Sequence, residues 1–174
     1  KGNANLKTII LWDECTATCN DYLHHDVAAT VQVVDTKGVS YGYPYYIGQY
    51  IPYCNGGVVF EATNEGKNCK LVSVDETNSD WGEAKKWCSN YGTDWYLPAK
   101  DELTAIYDVK DILNATLPAN GYTAIGTGWY WSSAEGTYYN SGYRDGAYRL
   151  SFSSGDWNCF NKNDTYSVRA VVAF

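Results

Sequence analysis

Apolar residues change their spacing twice along this chain, and each change marks an element. Residues Ala28 to Val34 (AATVQVV) are short and β-branched and run into Asp35-Thr36-Lys37-Gly38, which predicts a strand followed by a turn. From Tyr41 to Tyr53, Pro and Gly break up the tyrosines, so irregular backbone with Tyr rings over a core is expected there. Asn55-Gly56-Gly57 then turns into Val58-Val59-Phe60, and Asn64-Glu65-Gly66 separates that run from Lys70 to Asp75, a β-hairpin signature. The period then lengthens. Asp80 is placed to cap a helix from Trp81 to about Gly92, with Glu83 at capping-box spacing and Trp81, Ala84, Trp87 and Cys88 on one face. A second helix is expected from about Lys100 to Leu117, with Leu103, Ile106, Tyr107, Leu113 and Leu117 inward and Pro118 and Gly121 ending it. After it only strand-like runs return, at Trp129 to Trp131, Tyr148 to Phe152 and Val168 to Phe174, so the class is α+β: two helices flanking a small antiparallel sheet, then a long loop-rich C-terminal half. Trp95, Leu97, Leu103, Trp131, Phe152 and Val171 are the expected core positions.

Within that half, Gly136 to Asp156 (GTYYNSGYRDGAYRLSFSSGD) is crowded with Tyr, Ser, Asn, Asp and Gly and contains no Lys, Glu, Gln, Met, Trp or Pro. Tyr supplies rigid amphipathic contact and Ser, Asn and Gly adaptable hydrogen bonds, the alphabet of recognition loops. Every residue of the segment also has a codon ending in a pyrimidine. Alternation in Tyr148 to Phe152 sends Tyr148, Leu150 and Phe152 to the core and leaves Arg149 and Ser151 outward, beside Tyr138, Tyr139, Asn140, Ser141 and Tyr143, expected in a loop. With Asp145, Asp156, Asn158, Phe160, Asn161 and Asp164 these make one contact surface of thirteen positions. Trp157 and Lys162 have no pyrimidine-ending codon, so they are expected to be fixed framework.

Charge narrows the partners. With 13 basic and 20 acidic residues the net charge is −7, which lacks the basic footprint that phosphate neutralisation needs, so nucleic acid is not expected. No apolar run is long enough to span a bilayer. The chain contains no Met, which reads as a piece of a larger protein. Six cysteines, Cys15, Cys19, Cys54, Cys69, Cys88 and Cys159, permit three disulfides in any of fifteen pairings and favour an oxidising location. Cys15 and Cys19 with His24 and His25 have zinc-ligand residue types, but their spacing matches no common finger, so no metal and no cofactor is assigned.

The order Trp95-Tyr96-Leu97-Pro98, Asp101-Glu102-Leu103, Tyr130-Trp131-Ser132-Ser133-Ala134-Glu135 and Val168-Arg169-Ala170-Val171 to Ala173-Phe174 resembles C-type-lectin-like domains of bacterial and phage surface proteins. It is similar to the branch related to formylglycine-generating-enzyme folds, and its tail to variable proteins diversified by retroelements. In those, mutated Asn codons lie between a Trp-Ser-Ser block and a final Val-Arg-Ala-Val strand. The resemblance covers roughly residues 54 to 174. It implies a lectin-like domain at 41–174 behind an N-terminal arm or remnant of a preceding domain at 1–40. Ala99 departs from the Ser or Thr often found there, and Val172 from a second basic residue. Cys159 fits a pyrimidine-ending codon, which makes it a possible selected variant and not a disulfide partner.

Three functions fit these residues, in decreasing order. The leading one is an adhesion or receptor-recognition module, extracellular, cell-surface or on a phage particle, binding a protein or glycan on another cell or particle through the thirteen positions. The alternative is calcium-independent carbohydrate binding, since the chain has no Glu-Pro-Asn, Gln-Pro-Asp or Trp-Asn-Asp triplet. An oxidase-type enzyme ranks below both, because no cysteine pair sits in a matching motif and both histidines lie outside the recognised domain. Asp101-Glu102 at a helix start reads as dipole stabilisation.

Overall fold

A computed structural model describes residues 8–10, 32–34, 40–41, 45–52, 55–139 and 143–174, with only the backbone described at 8–10, 32–34, 40, 41, 138, 139, 143 and 144. A small sheet joins β1 (Thr8–Ile10), β2 (Gln32–Val34) and β3 (Ser40–Tyr41), β1 and β2 running parallel. A four-stranded antiparallel sheet has the order β12-β6-β5-β4, from β4 (Tyr50–Ile51), β5 (Gly57–Thr63), β6 (Asn68–Ser73) and β12 (Val171–Ala173). A five-stranded sheet has the order β10-β9-β8-β11-β7, from β7 (Thr77–Ser79), β8 (Trp129–Tyr139), β9 (Tyr143–Ser151), β10 (Trp157–Asn161) and β11 (Tyr166–Val168). Its pairings are antiparallel except one parallel step, Ser167 opposite Tyr130.

The expected hairpin is β5–β6, turning through Asn64, Glu65 and Gly66, all at positive φ. Helix α1 (Trp81–Tyr91) starts where Asp80 Oδ1 accepts the Glu83 amide at 3.0 Å, although the Glu83 carboxylate pairs with Lys86 and completes no capping box. The second helix is divided. It runs as α2 (Lys100–Asp108) and α3 (Lys110–Ala119), because Val109 at φ −108° and ψ 12° leaves helical geometry between two otherwise continuous apolar stripes. Ala99 offers no side-chain cap, and Glu102 reaches back to accept the Ala99 amide at 2.9 Å. Glu102 therefore does more than face the helix dipole: it is buried, accepts from Tyr96 Oη at 2.7 Å and pairs with Lys70 at 3.3 Å.

Alternation along the strands feeds two apolar clusters. Val59 and Leu71, Trp131 and Ala147 pack with Trp81, Ala84 and Cys88 of α1, while Val58, Phe60 and Val72, Tyr130 and Leu150 pack with Leu103, Ile106, Leu113 and Leu117 of α2 and α3. Each fully buried Val, Leu, Ile or Phe among them contributes about 1.5–3 kcal/mol relative to exposure. All six expected core positions, Trp95, Leu97, Leu103, Trp131, Phe152 and Val171, are buried.

The C-terminal run from Val168 to Phe174 is not one strand. It leaves the five-stranded sheet at Val168 and enters the four-stranded sheet at Val171. The crossing residue Arg169 explains the break, since its guanidinium is buried between the sheets, 3.0 Å from Glu76 and donating to the carbonyls of Ser73, Val74 and Thr123. Cys69 and Cys88 carry free thiols inside the first cluster, where burial pushes both up to about 12. They act as small apolar side chains, so the expected disulfides are not found among the described residues. Cys15, Cys19 and Cys54 lie outside them.

Candidate functional site

The segment read as a loop is mostly a β-hairpin. β8 and β9 pair from Trp129 opposite Ser151 to Tyr139 opposite Tyr143, with a bulge between Trp131 and Glu135. Tyr138, Tyr139 and Tyr143 are thus strand positions beside the hairpin end, while Asn140 and Ser141 lie outside the described residues. β10 adds to the far edge of β9, pairing Asn158 with Arg149, Phe160 with Ala147 and Asn161 with Gly146. The candidate positions therefore run along the β9–β10 ribbon, and at 3.3 Å per residue β9 alone extends roughly 25 Å.

Register sets Asp145, Arg149, Ser151, Asn158 and Phe160 on one side of that ribbon and Asn161 on the other. Asp145 and Asn158 are exposed, as is Asp156, which accepts from Ser154 Oγ at 2.7 Å. Two positions contradict the expected exposure. Arg149 is only 7% exposed, because Trp129, Phe160 and Tyr166 from the neighbouring strands surround its guanidinium, with ring centres at 4.3, 4.0 and 4.1 Å. Ser151 is only 3% exposed, because it is built into the turn to β10: its amide donates to Asp156 O at 2.9 Å and its Oγ lies 2.8 Å from Ser153 Oγ. Phe160 is half-buried against the first cluster, and Asp164 is half-buried at the turn where its amide donates to Asn161 O.

Asp145 and Asn161 do come together. With Asp80, Trp81, Gly82, Lys162 and Asn163 they line an open depression of about 450 Å3. Its floor is Lys162, whose Nζ donates to Glu135 at 2.6 Å and Asp145 at 2.9 Å and lies 4.4 Å from the Trp81 ring centre. Burial lowers this ammonium's pKa, but the hydrogen bonds to Glu135 and Asp145 outweigh it and hold the group above the ordinary lysine value. The Lys162 carbonyl also accepts the Trp81 amide at 3.0 Å, tying the end of β10 to the start of α1. Trp157, at the other end of β10, is half-buried against the second cluster with Lys100 Nζ 4.6 Å from its ring centre.

Cys159 sits on β10 against Gly136, where an added Cβ would lie 2.9 Å from its Sγ. Burial raises its pKa against the lowering pull of Lys100 and Lys162. Among the described residues no three His, Cys, Asp or Glu side chains converge to hold a metal ion, and no helix is long and apolar enough to cross a membrane. Sequence reading did not single out Trp129, Glu135, Lys162 or Tyr166 as neighbours of the site. Only the strand register brings them there.

Helices flanking antiparallel sheets, with the C-terminal residues paired inside, define a C-type-lectin-like α+β domain. The chain belongs to the Lcl C-terminal domain family, whose model matches residues 4–172. Among solved structures it is similar to EMS16, an antagonist of the collagen receptor integrin alpha2beta1, at 12% identity and a TM-score of 0.44 over 64% of this chain and 94% of that one. It is also similar to botrocetin, at 15% identity and a TM-score of 0.38 over 64% of this chain and 93% of that one. No curated protein matches the sequence.

Proposed function

We propose that this domain is a non-enzymatic, extracellular recognition module that binds a protein ligand through the β8–β9 hairpin end and the β9–β10 ribbon. The observation that carries the reading is a division of labour along β9 and β10. Asp145, Asp156 and Asn158 extend into solvent, while Lys162 and Trp157, the residues with no pyrimidine-ending codon, are packed and bonded as support. Such a division lets contact residues vary while the framework stays, which supports diversification of Tyr138, Tyr139, Asn140, Ser141, Tyr143, Asp145, Asn158, Phe160, Asn161 and Asp164. Arg149, Ser151 and Asp156 belong to the same set but act partly through the structure around them.

A long, open ribbon fits a protein surface better than a sugar, since a stable partner covers about 800 Å2 per side. Catalysis finds little support, for a reactive cysteine needs thiolate character and burial drives Cys69 and Cys88 the other way. The test is binding of the purified domain to panels of cell-surface proteins and of glycans, with Tyr139→Ala, Tyr143→Ala and Ser141→Ala compared on whatever is bound. The tyrosine variants are expected to lose about tenfold or more in affinity and Ser141→Ala less. Undiminished binding by both tyrosine variants contradicts the reading, and binding confined to glycans replaces the protein ligand with a carbohydrate one.

A further inference from the structure

The surroundings of Arg149 have the form of a ligand site that is already filled. Trp129 on β8, Phe160 on β10 and Tyr166 on β11 come from three different strands, yet all three ring centres lie within 4.3 Å of the Arg149 guanidinium carbon. Aromatic faces carry negative quadrupole charge, and several of them about one cation make the cage that recognises quaternary ammonium and methylated lysine groups. All three rings are half-buried, and Phe160 and Tyr166 also pack against the first cluster, so the cage stands where that cluster meets the sheet surface. Asn158, the register partner of Arg149, is exposed beside it. Each ring is held by its own strand, so the walls belong to the sheet and not to Arg149.

We propose that Trp129, Phe160 and Tyr166 form a cation-binding site plugged in this chain by its own Arg149. Residue 149 then decides specificity wherever position 160, itself in the diversification set, keeps an aromatic ring. Arginine keeps the cage closed, whereas Ser, Asn or Gly at 149 opens it to a guanidinium or methylated ammonium group carried by a ligand. Because 149 is one of the positions with a pyrimidine-ending codon, the exchange lies within the diversification set out above. The biological use of the cage rests on that reading; its existence as a cation site does not.

The test titrates the full chain and its Arg149→Ser variant with methylguanidinium and with tetramethylammonium, following the Trp129 indole and Tyr166 ring signals by NMR. N-methylurea, neutral and of similar shape to methylguanidinium, is the control at matched ionic strength. The variant is expected to give a saturable shift for both cations, at least roughly tenfold tighter than the parent chain, and none for the urea. A folded variant with no saturable shift, or with the same response to the urea, overturns the proposal. If Arg149→Ser does not fold, the Arg149 Nε–H signal of the parent chain is read instead. A ring-shifted signal that moves back in Phe160→Ser upholds the cage, and an unshifted one overturns it. No partner enters this titration, so its failure leaves the recognition reading standing, and a failed partner screen leaves the cage standing.

Discussion

Two buried arginines occupy different settings, one where the chain passes between the sheets and one on the β9–β10 ribbon. Arg169, only 2% exposed, sits where the chain passes from one sheet to the other, paired with Glu76 and bonded to three backbone carbonyls, while Tyr130 Oη donates to the same Glu76 at 2.7 Å. Each of those bonds has a direction, so no other side chain satisfies them all. Arg149 lies on the ribbon among the ring faces of Trp129, Phe160 and Tyr166.

The contrast is broken most directly at Arg169. Arg169→Met leaves the carbonyls of Ser73, Val74 and Thr123 without this donor and the buried side of Glu76 with the Tyr130 hydroxyl but no cation, and a loss of about 3–5 kcal/mol is expected in urea denaturation. A loss below 1 kcal/mol would erase the distinction between the two sites.

Next comes the packed interior under α1. The folded thiols of Cys69 and Cys88 are raised from 9.0 to about 12, so the unfolded chain releases protons first as pH rises. Their contribution is complete below pH 9 and is lost between about 9 and 12. Urea midpoints should fall across that window, and less so in a Cys69→Ala, Cys88→Ala variant. A flat profile in the parent chain would place the thiols in contact with water.

Smaller effects belong to the ribbon. Arg149→Ser is expected to cost about 1–2 kcal/mol, from lost cation–ring attraction and stem packing, with cooperative melting retained. Asp145→Asn removes one of two carboxylates from Lys162, and since Asp145 is largely exposed the change should stay below about 1 kcal/mol, shrinking further in salt.

Much of the framework was legible because it is written in local patterns. Asp80 before an apolar stripe marked the start of α1, and Asn64-Glu65-Gly66 between two apolar runs marked the β5–β6 turn. The interruption at Val109 was not legible, since the apolar stripe continues across it. Nor was the split at Arg169, whose cause is a carboxylate 93 positions away in sequence. In the candidate site, alternation placed Leu150 and Phe152 correctly in the core but assumed that the other face of β9 is open. Trp129, Phe160 and Tyr166 close over Arg149 only through the register of four strands, which no single segment encodes.

On the proposed reading, contact residues on the hairpin end and ribbon are separable from the scaffold. It is tested most directly by thermal melting, followed by circular dichroism, of one variant carrying Tyr138→Ser, Tyr139→Ser, Asn140→Ser, Tyr143→Ser, Asp145→Ser, Asp156→Ser and Asn158→Ser together. Exposed substitutions away from packed features usually stay within about 0.5 kcal/mol each, so a single cooperative transition within several degrees of the parent is expected. Loss of the cooperative transition would contradict the claim and make these residues part of what holds the fold together.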